Sequence, residues 1–108
     1  MADIVDVELN KPGFIYIIQE ATSDYFKVGV STNEETLKQR ISNLQSGNWR
    51  MLTLEQKNKV SNMKLAENYA HNLLRDVQVK EGGGKEWFKS SFETIKDAVD
   101  AAANEYPY

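Results

Sequence analysis

The chain contains no cysteine, and that absence excludes a disulfide framework, thiol catalysis and every thiolate metal site. Histidine is nearly absent too: with His71 alone, a multi-histidine zinc cage and a two-histidine metal triad are also excluded. No apolar run approaches the roughly 20 residues of a membrane span. The opening stretch MADIVDVELN is acidic, unlike a secretory signal, so a cytoplasmic protein with no membrane partner is expected. An excess of positive charge is missing as well, since 13 basic and 16 acidic residues leave a net charge of −3. Averaged over the chain, that balance excludes strong, indiscriminate polyanion binding.

What the sequence does contain is an uneven distribution of this charge. Residues 1–26 carry −4 and residues 90–108 carry −3, while residues 27–89 hold 11 basic and seven acidic side chains, or +4. Whatever chemistry lives in the middle of the chain therefore sits in a locally basic stretch between acidic ends. The 108 residues, 41% hydrophobic and 27% charged, fit one domain burying roughly two-thirds of its unfolded surface. Residues 1–12 read as an acidic N-terminal arm ending in the turn signal Lys11-Pro12-Gly13, and residues 13–108 as a single domain.

Apolar patterning supplies the elements. Phe14-Ile15-Tyr16-Ile17-Ile18 is β-branched and aromatic, the mark of a strand buried on both faces. A polar link, Glu20 to Asp24, leads to a second strand run, Tyr25 to Val30, so the two form an antiparallel hairpin. Ser31 and Glu34 read as a capping box for a helix carrying Leu37, Ile41 and Leu44, ended by Ser46-Gly47-Asn48 with glycine in the left-handed position. Leu52 and Leu54 alternate with polar neighbours, as in a half-exposed strand between Met51 and Val60. Ser61 or Asn62 caps a second helix with the stripe Leu65, Ala66, Tyr69, Ala70, Leu73 and Leu74. Gly82-Gly83-Gly84 is a loop, Glu86-Trp87-Phe88 a short strand, and Ser90 with Glu93 caps a last helix carrying Ile95, Ala98, Val99 and Ala102. The order β-β-α-β-α-β-α defines an α+β fold, a small mixed or antiparallel sheet flanked by helices.

Four groups of residues carry candidate chemistry. Tyr16 and Lys27 lie on the two strands of the hairpin, and the register decides whether they share a face. Read alone, Tyr16 equally fits a core aromatic and Lys27 an edge charge that discourages strand aggregation. Arg40 borders the apolar stripe of the first helix, a position from which its guanidinium can enter a cleft and grip phosphate bidentately or simply reach solvent. Glu67 and His71 are spaced i, i+4 on the second helix and share a face. A carboxylate at the rim of a core can hold Mg²⁺, which needs only one or two protein oxygens, and a histidine can move a proton or contact phosphate. An ordinary helix pair has the same spacing. The glycine triplet is no phosphate cradle, because neither Gly-Lys-Ser/Thr nor a helix follows it.

Taken in order, Gly13-Phe14-Ile15-Tyr16, Phe26-Lys27-Val28-Gly29-Val30-Ser31, Arg40 with Leu44-Gln45-Ser46-Gly47-Asn48, Ala66-Glu67-Asn68-Tyr69-Ala70-His71 and Lys85-Glu86-Trp87-Phe88 resemble the GIY-YIG endonuclease superfamily. The likeness is to its small phage and fungal branch, whose second motif reads Lys-Ile-Gly, and it spans residues 13–88. This resemblance implies a three-stranded sheet flanked by helices and metal-dependent hydrolysis of a DNA phosphodiester with one Mg²⁺ or Mn²⁺. By the same resemblance Tyr16 positions or deprotonates the attacking water, Arg40 stabilises charge on the scissile phosphate, and Glu67 binds the metal. Lys27 and His71 complete the set, His71 as part of a Glu-x-x-x-His pattern. Lys27 stands where the main family has a tyrosine, and Leu44 where a histidine often follows the arginine. These departures keep a second reading open, a catalytically silent module on this fold that binds nucleic acid or a protein partner. The four residues Tyr16, Lys27, Arg40 and Glu67 are expected to converge on one cleft. A chain this small makes few phosphate contacts, and a homodimer is one way to gain more.

Overall fold

The computed structural model describes residues 10–47, 49–79 and 87–108. The β-branched run after Pro12 forms β1 (Gly13–Glu20), and a tight turn returns the chain as β2 (Tyr25–Ser31). Ser23 closes that turn, its N–H and hydroxyl both donating to the carbonyl of Glu20 at 3.0 and 2.6 Å. There follow α1 (Glu34–Ser46), β3 (Leu52–Val60), α2 (Met63–Leu73), a 3₁₀ turn over Arg75–Val77, β4 (Trp87–Lys89) and α3 (Phe92–Glu105). The strands form one antiparallel sheet in the order β3-β1-β2-β4. This is the α+β class and element order expected, with a correction. β4 pairs with Tyr25–Lys27 at the outer edge of β2, making four strands where the resemblance implies three.

Alternation along the strands sends successive side chains to opposite faces, and both faces are covered. Ile15, Ile17, Phe26, Val28 and Val30 meet Met63, Ala66 and Ala70 of α2, Leu74 at its C-terminal cap, and Ile95, Val99 and Ala102 of α3. The alanines let the two helices approach each other and the sheet closely. On the other face Tyr16, Ile18 and Leu52 meet Leu37, with Ile41, Leu44 and Trp87 around them. Helix α1 thus lies alone on one face, with α2 and α3 together on the other.

Several local expectations are corrected. Ser31 ends β2 and is buried, and the cap of α1 is Asn33, whose side chain accepts from the Thr36 N–H at 2.8 Å. The strand simply runs further than the capping pattern implied. Ser91, not Ser90, caps α3 by accepting from the Thr94 N–H, while Asn62 does the same for α2. Gly47 ends α1 at φ −90°, outside the left-handed region. On α2 the buried stripe is Met63, Ala66, Ala70 and Leu74, and both Leu65 and Leu73 are exposed, because only the narrow alanine face meets α3 and β2. Near the chain start, Lys11 docks on α2, its carbonyl accepting from the Met63 N–H at 2.9 Å. The expectations placed on residues 1–9, on Gly82-Gly83-Gly84, and on Asn48, Lys85 and Glu86 lie outside the described residues.

Candidate functional site

The register settles the first question left open by the sequence. Tyr16 pairs with Gly29 and Ile18 with Lys27, and residues opposite each other in an antiparallel ladder share a face. Lys27 and Tyr16 therefore both point to the α1 side. Arg40, Asn43 and Leu44 stand at i, i+3 and i+4 on α1 and present one face to them. Together these five side chains line a cleft of about 280 Å³ between the hairpin and the helix. That volume lies just below the usual range for ligand pockets, so the cleft grips a group and does not engulf a molecule.

Tyr16 forms the buried floor. Its ring lies across Gly29 so closely that a Cβ there would come within 2.6 Å of the phenol oxygen and 2.8 Å of Cζ. Only glycine leaves room for the hydroxyl at this position. Lys27 is half-buried beside it, two pairs along the ladder. Arg40 is exposed at the rim and makes no ion pair among the described residues. A neutral floor with two cations above it is a receptor for an anion, and the planar arginine suits a phosphate oxygen pair.

Glu67 and His71 are not on the wall of this cleft. They sit on α2, across the sheet from α1, so the expected convergence of four residues covers Tyr16, Lys27 and Arg40 only. Their position along β2 can nevertheless be bracketed. Gly13 is wedged between the Met63 side chain and the Ser31 carbonyl, which places the start of α2 at the end of β2. Two turns later, His71 Nε2 donates to the Val28 carbonyl at 2.8 Å, and its ring packs on Phe88 with centroids 5.1 Å apart. Helix α2 thus runs antiparallel to β2. Half-buried Glu67 falls between the levels of Val28 and Ser31, the stretch that contains Gly29. Because β4 pairs only as far as Lys27, Glu67 lies at the level of a part of β2 whose outer edge pairs with no strand among the described residues.

The donor set bears on a metal ion. No group of three or more histidine or acidic side chains among the described residues could cage one. A single carboxylate does fit Mg²⁺ or Mn²⁺ held mainly by water and by substrate phosphate. Sequence reasoning had missed Asn43 and the clearance role of Gly29. The i+3 spacing from Arg40 was a signal for the first, whereas only the register reveals the second.

The structure is thus a small α+β domain, its sheet covered on both faces, with a cleft that carries two cationic side chains at the junction of its hairpin and first helix. The family model of the T5orf172 domain matches residues 13–103, and the chain belongs to that family. The T5orf172 domain is associated with nucleases of the HNH and GIY-YIG-like kinds. Comparisons with curated proteins and with solved structures gave no match. No helix among the described residues is long and apolar enough to cross a membrane.

Proposed function

We propose that this protein is a metal-dependent DNA endonuclease of the GIY-YIG type that hydrolyses phosphodiester bonds. The observation that carries the reading is the meeting of Tyr16, Lys27 and Arg40 in one cleft. Arg40 clamps the non-bridging oxygens of the scissile phosphate and stabilises the charge that builds there, with Lys27 as a second point charge. The Tyr16 hydroxyl, held over Gly29, orients the water that adds to phosphorus as the bond to the leaving sugar oxygen breaks. Glu67 is the residue that would hold one Mg²⁺ or Mn²⁺; because it sits across the sheet from the cleft, the ion would polarise the phosphate and the leaving oxygen only if the DNA backbone passes the unpaired outer edge of β2. His71 acts as a positioning residue, since its bond to Val28 sets where α2 carries Glu67 along β2.

The test is nicking of supercoiled plasmid by the full chain with Mg²⁺, with Mn²⁺ and with chelator. Strand cleavage that requires the metal and disappears in a folded Glu67→Ala variant is the expected result. Lys27 at the second-motif position and the placement of Glu67 off the cleft wall favour one rival, an inactive module binding nucleic acid or protein. DNA binding without cleavage, indifferent to Glu67→Ala, selects that rival.

A further inference from the structure

Trp49 is 91% exposed, yet the segment that carries it is held from both sides. The Gln45 side chain donates to the Arg50 carbonyl and accepts from the Leu52 N–H, both at 2.9 Å, tying the segment to α1. From the hairpin side, the Ala21 N–H donates to the Met51 carbonyl at 2.6 Å, and Glu20 pairs with Arg50 Nε at 3.2 Å. A large aromatic on a frayed loop would need no explanation, but Trp49 directly precedes residues 50–52, which these four contacts tie down. The Arg50 guanidinium lies 5.6 Å from the indole centroid and backs one face of the ring. An exposure this high leaves the opposite face open.

The placement says what that face meets. Gln45 follows Leu44 directly on the helix whose Arg40, Asn43 and Leu44 line the cleft, and roughly 7 Å of helix separate Arg40 from Gln45. Trp49 therefore stands at the C-terminal end of the helix whose middle lines the cleft, within a few nucleotide steps of an anion held by Arg40. An exposed indole with a cation at one face, near a cleft that carries Lys27 and Arg40, has the chemistry of a base-stacking platform.

We propose that Trp49 stacks on an unpaired or unstacked DNA base a few nucleotides from the phosphate in the cleft, so the preferred substrate is DNA with a single-stranded or distorted segment. This rests on the nuclease reading and narrows its substrate. Because residues 50–52 are already tied down, the ordering cost of stacking falls mainly on the Trp49 side chain itself. A fully paired duplex offers no free base face, and Trp49 contributes little to binding it.

The experiment measures binding of the full chain, by fluorescence anisotropy, to single-stranded, bulged and fully paired DNA of equal length. Trp49→Ala is expected to weaken binding to the single-stranded and bulged DNA about 5- to 150-fold, with Trp49→Phe retaining most of the affinity. Neither variant should alter duplex binding or the melting temperature. Arg40→Ala should weaken all three. Wild-type and Trp49→Ala proteins that bind all three DNAs alike would overturn the stacking role and leave the nuclease reading intact. A wild-type protein that binds none of them would overturn both.

Discussion

The phenol oxygen of Tyr16 stands directly over Gly29, its partner across the hairpin, where one added methyl group would come within 2.6 Å. The Gly29→Ala substitution must therefore push the Tyr16 ring off the cleft floor or spread the two strands. We expect a loss of about 1–3 kcal/mol in urea unfolding, as for other overpacked cores. Combining it with Tyr16→Phe should recover only part of that loss, because the ring carbon Cζ would also lie within 2.8 Å of the new Cβ. A Gly29→Ala variant as stable as wild type would show that the hydroxyl is not held there.

Arg40 and Lys27 present their charge differently, and their substitutions should differ accordingly. Replacing Arg40 by alanine removes a preorganised contact to developing charge, and nicking should fall on the order of 10²–10³-fold. Arg40→Lys should recover only part of the rate, since lysine lacks the bidentate fork. Equal activity of the lysine variant and wild type in a single-turnover assay would contradict the bidentate assignment.

His71 ties α2 to β2 through a single bond to a backbone carbonyl. His71→Phe fills similar space against Phe88 but leaves the Val28 oxygen without its donor, which should cost about 1–3 kcal/mol. Hydrogen exchange should rise along α2 while α1 stays protected. If α2 exchanges as slowly as before, the bond does not anchor the helix.

A separate pair ties α1 to the edge strand. The Lys57 ammonium donates to Glu34 Oε1 at 2.7 Å, and this hydrogen bond, with the lysine charge, holds the carboxyl below its ordinary value of 4.5. A carboxyl lowered in the folded state contributes stability above its unfolded value and loses it as pH falls through the folded one. Lys57→Met should therefore lower the melting temperature slightly above about pH 4.5 and leave it unchanged at lower pH, where Glu34 is protonated in both proteins, so that the acid limb of the profile is flatter. Both groups are exposed, so high salt should mimic the substitution. An acid limb identical in variant and wild type would assign it to other carboxyls.

Much of this architecture was legible before any coordinates. The run Phe14–Ile18 declared a strand buried on both faces, and the short polar link to Tyr25 declared its hairpin partner. Helices were recognisable from apolar spacing, and Arg40 was placed at the edge of a stripe, where it is found. Cap positions shifted because serine, threonine and asparagine all serve as caps and cluster at each helix start. The fourth strand was visible as Trp87 and Phe88, but its seat at the outer edge of β2 was not. Trp49 attracted no notice in the sequence, because only burial separates an exposed aromatic from one that serves the core.

The sequence by itself determined the local conformations, the amphipathic faces and the basic middle segment, because each depends on residues close together along the chain. The tertiary structure alone decided which of those faces meet. Pairing Tyr16 with Gly29 puts Lys27 on the floor tyrosine's side, whereas a one-residue slip would have sent it to the opposite face. Likewise, a sheet apolar on both sides accepts a helix on either, so nothing local to Arg40 or Glu67 dictated that α1 and α2 would cover different faces. Contacts across the sheet made that choice, and with it they made β2, which carries Gly29, the strand that lies between the cationic cleft and the candidate metal-binding carboxylate.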